Sequence, residues 1–430
     1  MSNTKFWKPV YRLFKPEEPL AKPEDLRDFY VQRPDSPVED LVSFLEMADE
    51  PMKFLLAGHR GGGKTTELRR VEQLLAADYA VIWIDTETAL DRYNIGYAEV
   101  VVLIGQEICC QAIQPGWWSN RDERLLVALE ESLTTVVYQE KERATANLAL
   151  LPDVLEKMGL VLKRGLTREF SSTLNIRPQL SEVIDRVNEI IKAAERDRKQ
   201  KLVVIVDGLD RHDQRTALEM FASPLLTELN CHLIYTIPIS LRYSSDFRQP
   251  MESYQCLDLV NLPVFECDEN CHPTTIPHQA SRKLLSRVIS QRLTRLDHKD
   301  QDIFTPDAVN LLCEKSGGVM RDLIRLARMA CRKAAKKEQD YIDRKIAEDA
   351  VKEEHKSYTL SDYHFPELAK VHETGRLTSN LHRLPSKGEF VICDELLQNK
   401  FVLGYYDEER RNTWFDVHPI LIDEVKRMEN

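Results

Sequence analysis

The sequence predicts an α/β protein: a parallel-sheet core around a phosphate-binding loop (P-loop), with a helical insertion, a helical lid and a C-terminal winged helix. Three observations predict it. From Met52 onward, short apolar runs alternate with helix-patterned stretches, as in a parallel sheet covered on both faces. One apolar run ends in Gly58-His59-Arg60-Gly61-Gly62-Gly63-Lys64-Thr65-Thr66, the spacing G-x-x-x-x-G-K-[ST] between a strand and a helix. The tail carries two strand-like runs, FVLGYY and TWFDV, around the polar turn DEERRN, with helical stretches on either side.

Residues 1–50 are rich in proline and charge. Proline restricts the residue before it and interrupts helices, so this region reads as an extended arm ending in a short helix from Val38 to Met47. Residues 51–278 read as the core. Its strands are Met52–Gly58, Tyr79–Thr86, Lys201–Asp210, His232–Ile239 and Leu257–Phe265. After the loop, Leu68, Val71, Leu74 and Leu75 share one helical face. Residues 115–200 read as a helical insertion, in which Leu180, Val183, Ile184, Val187, Ile190 and Ile191 keep the helical period. Residues 279–355 form a helical lid. Thr305-Pro306-Asp307 starts one lid helix with a hydroxyl cap and a first-turn proline, and Ser316-Gly317-Gly318 stops it. Residues 356–430 form the winged helix. Its first helix is read at GEFVICDELLQNK and its last at HPILIDEVKRM.

Composition narrows the class. The chain has 430 residues, 43% of them hydrophobic and 30% charged, which excludes collagen-like and wholly disordered chains. Lys+Arg number 59 against 70 Asp+Glu, a net charge of −11. That balance disfavours nucleic acid as a bulk-charge partner. No apolar stretch approaches the roughly 18 residues of a membrane span, so no membrane role is expected. The start lacks an apolar signal region, and the nine cysteines are scattered, which predicts reduced thiols in the cytoplasm.

The chemistry centres on the loop. Gly58, Gly61, Gly62 and Gly63 let backbone N–H groups turn toward phosphate oxygens, and the following helix adds its positive end. Lys64 is expected to reach the β- and γ-phosphates of ATP, Thr65 to hold Mg²⁺, and Thr66 to bond the α-phosphate. Asp207, emerging from the apolar strand VVIVD, is expected to hold the metal's water shell. Gly208 follows it where many ATPases carry Glu, which puts fast turnover in doubt. Asp210 is the next carboxylate, as a water-orienting group or as the cap of the next helix. Thr236 is a polar residue at a strand end, able to touch the γ-phosphate or merely to fill a β-branched position. Arg321 lies in the first turn of a lid helix, where a cation opposes the dipole unless an anion compensates. Phosphate is one such anion, and Asp322 is another.

Together these features resemble the AAA+/STAND division of P-loop ATPases. VVIVDGLD resembles the STAND branch, and GGVMRDL resembles the lid of origin-recognition-type proteins. The resemblance implies a Met-His-Asp element whose His senses the ADP β-phosphate. Here WFDVHPILIDEV occupies that place with His418, and Val417 and Pro419 depart from the motif. It further implies a slow ATP-dependent switch that forms a homo-oligomer and signals to a separate effector protein, in prokaryotic signalling or anti-phage defence. The alternative is a DNA-binding AAA+ ATPase such as a replication initiator, loader or transposition regulator. Two lesser features remain. Cys267, Cys271, His272 and His278 lie close in sequence, in a spacing unlike a zinc finger. Arg332-Lys333-Ala334-Ala335-Lys336-Lys337 reads as a solvated helix end.

Overall fold

Apolar runs flanked by glycine and acid become the strands of one sheet, because a strand buried on both faces needs side chains that lose nothing on leaving water. In the computed structural model the described residues are 4–34, 36–89, 96–112, 114, 117–118, 122–129, 132, 177–296, 303–377, 381–384, 388–407 and 409–428. The sheet strands are β1 (Lys53–Gly58), β2 (Tyr79–Asp85), β3 (Lys201–Asp207), β4 (His232–Ile237) and β5 (Gln255–Leu259), in the order β2-β3-β4-β1-β5. The β2–β3, β3–β4 and β4–β1 pairs are parallel, with Asp85 opposite Asp207 and Leu56 opposite Thr236.

The chain divides into two compact units that interleave in sequence. One comprises Met1–Val38, Gly58–Arg70 and Asp258–Asn430; the other comprises Glu39–Ala57 and Val71–Leu257.

The second unit holds β2, β3, β4 and most of β1 and β5. Every residue of β1 and β4 is buried. The helix Tyr97–Ala112 packs on the helix Arg177–Arg198, whose Leu180, Val183, Ile184, Val187, Ile190 and Ile191 are all buried, as their period predicts. Most of the expected insertion, 115–200, lies outside the described residues. The helix Val38–Met47 forms as expected.

The first unit contains the phosphate loop, the lid helices and the tail. Several sequence expectations change here. The N-terminal region is not an extended arm: Thr4–Leu13 and Pro23–Phe29 are helices. Trp7, Val10 and Phe14 sit in the same apolar cluster as Leu312, Leu323 and Leu326. Their i, i+3, i+7 spacing makes a helical stripe, and burial of such side chains contributes roughly 1.5–3 kcal/mol each. That outweighs the breaker signal of Pro9, which stands inside the helix. The expected strand Leu257–Phe265 also divides. It stops at Leu259, and Phe265 begins a separate strand, β6 (Phe265–Cys267), antiparallel to β7 (Pro273–Pro277). Pro263 has no N–H for a ladder, which ends the pairing between them.

The helices of the region read as a lid are Gln279–Leu293, Pro306–Lys315, Met320–Lys336 and Arg344–His355. The Thr305 hydroxyl accepts from the Ala308 N–H at 3.3 Å, and Gly317 and Gly318 stop that helix at φ +60° and +77°. The tail runs as a helix Phe365–Thr374, a hairpin of β8 (Leu381–Leu384) and β9 (Gly388–Val391), and a helix Ile392–Gln398. A second hairpin of β10 (Val402–Asp407) and β11 (Asn412–Val417) follows, then a helix Ile422–Met428. The helix expected over GEFVICDELLQNK therefore begins only after a strand. The last helix starts four residues beyond His418, so Pro419 is not its first-turn proline.

Candidate functional site

The phosphate loop is built by glycine where no other residue fits. Gly61 and Gly63 have φ of +85° and +115°, a region that side chains disfavour. A Cβ on Gly61 would lie 2.6 Å from Arg321 Cβ, and one on Gly58 would lie 2.7 Å from the Leu259 carbonyl. The helix Lys64–Leu75 starts immediately after the loop, so its free N–H groups and positive end face the loop. Lys64 is buried, with Nζ donating to the Gly58 and His59 carbonyls at 2.7 and 3.1 Å. The Thr66 hydroxyl accepts from the Leu20 N–H at 3.3 Å.

Two of the loop's carbonyls are held from outside the loop, one of them by Arg33, which sequence reading did not single out. Arg33, 4% exposed, donates to the Gly62 carbonyl at 2.9 Å and also to the Val260 carbonyl. The Arg321 N–H donates to the Gly61 carbonyl at 3.0 Å. This seats the N-terminal end of the lid helix Met320–Lys336 on the loop, with Arg321 in its first turn. Among the described residues, the Arg321 guanidinium has no ion-pair partner. Asn261 is fully buried near Gly62, and neither of its amide atoms has a hydrogen-bond partner among the described residues.

Behind the loop lies a buried polar cluster. Asp322 is 1% exposed, and Lys400 Nζ donates to it at 2.7 Å. Burial works to raise the Asp322 carboxyl, but Lys400 and His418 outweigh it and hold it below the usual carboxylate range. Asp322, which the sequence left as the alternative to phosphate for Arg321, pairs with Lys400 and with Arg325 at 3.4 Å. His418 is 1% exposed. Its Nδ1 accepts from the Ile420 N–H at 3.2 Å, and its Nε2 lies 3.6 Å from Asp322. With Nδ1 as acceptor, the neutral ring carries its proton on Nε2, facing the carboxylate. The ring thus accepts from a turn amide, while its Nε2 faces Asp322 beyond hydrogen-bond distance.

His59 occupies an unspecified position of the loop motif, yet it is 1% exposed, and its Nε2 accepts from the Gly404 N–H of β10 at 3.0 Å. That leaves the proton on Nδ1, which has no partner among the described residues. Burial, with Lys64 and Lys400 nearby, pushes His59 from 6.5 down to about 3. A depressed histidine favours folding fully above its unfolded value and loses that contribution as pH falls toward the folded one. Below about pH 6.5, unfolding should take up one proton at His59, a slope of about 1.4 kcal/mol per pH unit. Denaturant titrations at several pH values test this. His59→Gln, which keeps an acceptor for Gly404, is expected to show a shallower decline.

The second unit contributes a separate polar edge. Asp207 ends β3 and is buried, and Thr236 in β4 is fully buried. The Gly208 N–H is shared between Asp207 Oδ1 at 2.9 Å and Thr236 Oγ1 at 3.0 Å. This joins two residues that the sequence named for different reasons. The Thr86 hydroxyl donates to the Asp207 carbonyl at 2.9 Å. Gly208 has φ +97°, and a Cβ there would meet Thr86 Oγ1 at 2.6 Å. The missing Glu is therefore a steric necessity of this backbone. Asp210 lies in the short turn Leu209–Arg211. It does not cap the next helix; Asp213 does, accepting from the Thr216 N–H at 2.9 Å. The Cys/His group separates: His272 pairs with Asp268 at 3.1 Å, and His278 caps the helix Gln279–Leu293.

A parallel sheet whose β1 runs into a glycine loop and a helix beginning Lys-Thr-Thr has the P-loop NTPase fold. Residues 37–224, a span short of half the chain, match the KAP family P-loop domain. No curated protein sequence matches the chain. Among solved structures, a Walker-type ATPase of Pyrococcus abyssi is 17% identical with a TM-score of 0.45, over 96% of this chain and 99% of that one. The ORC2 protein of Aeropyrum pernix is 14% identical with a TM-score of 0.45, over 97% and 98%. The Thermotoga maritima RuvB Holliday junction branch migration motor is 12% identical with a TM-score of 0.40, over 96% and 98%. No functional argument rests on likenesses this distant. No described helix is long and apolar enough to cross a membrane.

Proposed function

We propose that the protein is an ATP-dependent molecular switch of the AAA+/STAND kind, hydrolysing ATP slowly and passing its state to a separate effector protein. The observation that carries this reading is the loop itself. Gly61 and Gly63 stand at positive φ ahead of a helix N-terminus, and the buried donors Lys64 Nζ and His59 Nδ1 belong to the same loop. Such a cradle suits polyphosphate. Lys64 would serve the β- and γ-phosphates, Thr65 would take Mg²⁺, Asp207 would hold the metal's water shell, and Thr66 would serve the α-phosphate. Bound Mg²⁺ draws charge from the phosphate oxygens. Arg321 adds a cation from the lid, Thr236 and Asp210 orient the attacking water, and His418 acts through Asp322, the neighbour of Arg321. Gly208 leaves no carboxylate directly after Asp207, which supports slow turnover.

The tail is read as a winged helix that responds to the nucleotide, with ATP favouring a homo-oligomer. Its helix Ile392–Gln398 carries Asp394 and Glu395 and no cation, which suits a protein partner better than DNA phosphate. Prokaryotic signalling or anti-phage defence fits such a switch.

ATP turnover of two variants tests the assignment. Asp207→Asn is expected to lose Mg²⁺-dependent hydrolysis. Asp210→Asn should keep ATP affinity but slow hydrolysis by roughly 100-fold, the lower range for a lost general base. A wild-type rate in Asp210→Asn would remove Asp210 from the mechanism. Failure of the wild-type protein to bind ATP would remove the whole reading.

A further inference from the structure

In the first unit, the hairpin β6–β7 and the hairpin β10–β11 bring together three metal-ligating side chains. Cys267 Sγ, Cys271 Sγ and an Asp407 carboxylate oxygen all lie within 4.8 Å of one another. Cys267 Sγ is 3.4 Å from Asp407 Oδ2, across 140 residues of sequence. We propose that Cys267, Cys271 and Asp407 form a zinc site, with its fourth position open to water or one further donor.

The geometry is that of a tetrahedron edge. Zinc bonds of about 2.3 Å to sulfur and about 2.0 Å to oxygen, at tetrahedral angles, set sulfur and oxygen roughly 3.5 Å apart. Two soft sulfurs with one carboxylate favour zinc over magnesium or calcium, which prefer sets of oxygens. Zinc binding would displace both thiol protons.

The surroundings suit a metal. Cys271 is 7% exposed and belongs to an apolar cluster with Val319, Leu403, Tyr405 and Trp414. The Asn412 amide donates toward Cys271 Sγ at 3.4 Å, as it would to a thiolate. The Arg410 N–H donates to Asp407 Oδ1 at 3.0 Å, and its guanidinium pairs with Oδ2. Partners of this kind orient ligating groups from outside the coordination sphere. The turn Asp268–His272 fixes Cys271 through the Cys271 N–H to the Asp268 carbonyl, at 3.0 Å. His272 is drawn to Asp268 rather than to the thiols. The grouping thus differs from the one the sequence alone suggested: it loses both histidines and gains an acid from β10.

The test uses the full-length protein, purified under reducing conditions without chelator. Elemental mass spectrometry is expected to find about one zinc per chain, falling several-fold in Cys267→Ser and in Asp407→Asn. After chelation, Co²⁺ titration of the wild type should give a thiolate-to-cobalt charge-transfer band, which needs no variant to fold. Loss of that band in Cys267→Ser supports the site. Three results would overturn it: no zinc and no cobalt band, a band unchanged in both variants, or a Cys267–Cys271 disulfide found by mass spectrometry in the native protein.

Discussion

Replacing Lys64 with Ala is expected to remove most ATP affinity while the fold survives. Lys64 is 5% exposed, and its ammonium hydrogen-bonds to two loop carbonyls rather than filling apolar space. Alanine is a good first residue for the helix Lys64–Leu75, so local propensity is kept. The loss falls on the phosphates. Hydrogen bonds to a charged group contribute roughly 1.5–3 kcal/mol each. Two of them correspond to about a 100-fold loss of affinity or more. Isothermal titration with ATP, beside a thermal melt of the apo protein, reads both quantities. An unchanged affinity would show that the loop does not bind polyphosphate.

The second large effect is on stability. Asp322→Ala should destabilise the protein by about 3–5 kcal/mol, the range for removing one partner of a buried ion pair. The side chain of Asp322 is 2% exposed and that of Lys400 is 15% exposed. Without the acid, the Lys400 ammonium is left in a poorly solvated place, and His418 Nε2 faces no carboxylate. The Asp322 carboxyl is depressed, so its contribution is fully present above the ordinary carboxylate range and is lost progressively as pH falls below it. Near neutral pH the variant should therefore show its whole deficit. Denaturant unfolding of Asp322→Ala and Lys400→Met would check it. A loss under about 1 kcal/mol in both would mean that the pair is as weak as a surface one.

Much of this site was legible in the sequence, for reasons that differ by residue. The loop announces itself because several glycines and a lysine at fixed spacing have few other uses. Asp207 is marked by the apolar strand before it, and Arg321 by a cation where a helix disfavours one. The cap at Thr305 and the stop at Gly317 are local signals and form as expected. What escaped depends on distant partners. His59 sits at a variable position of the motif, and its role comes from Gly404, 345 residues away. Lys400 looks like an ordinary surface charge, and Asp322 like a neighbour for Arg321, until the fold brings the two together. The N-terminal helix was hidden because Pro9 argues against a helix locally, whereas the apolar stripe that overrides it needs the lid as its counterpart.

One consequence follows from how the loop is held. The stretch that matches the KAP domain begins at residue 37 and ends at residue 224. Arg33 lies before it, and Arg321 and Gly404 lie after it. A gene fragment cut at those borders would retain every letter of the phosphate-binding signature, yet lose the three groups that anchor its backbone and its histidine. The stretch that carries the motif and the set of residues that hold its shape thus have different borders in this chain. A signature shuffled into another protein would need new neighbours before it could hold the same shape.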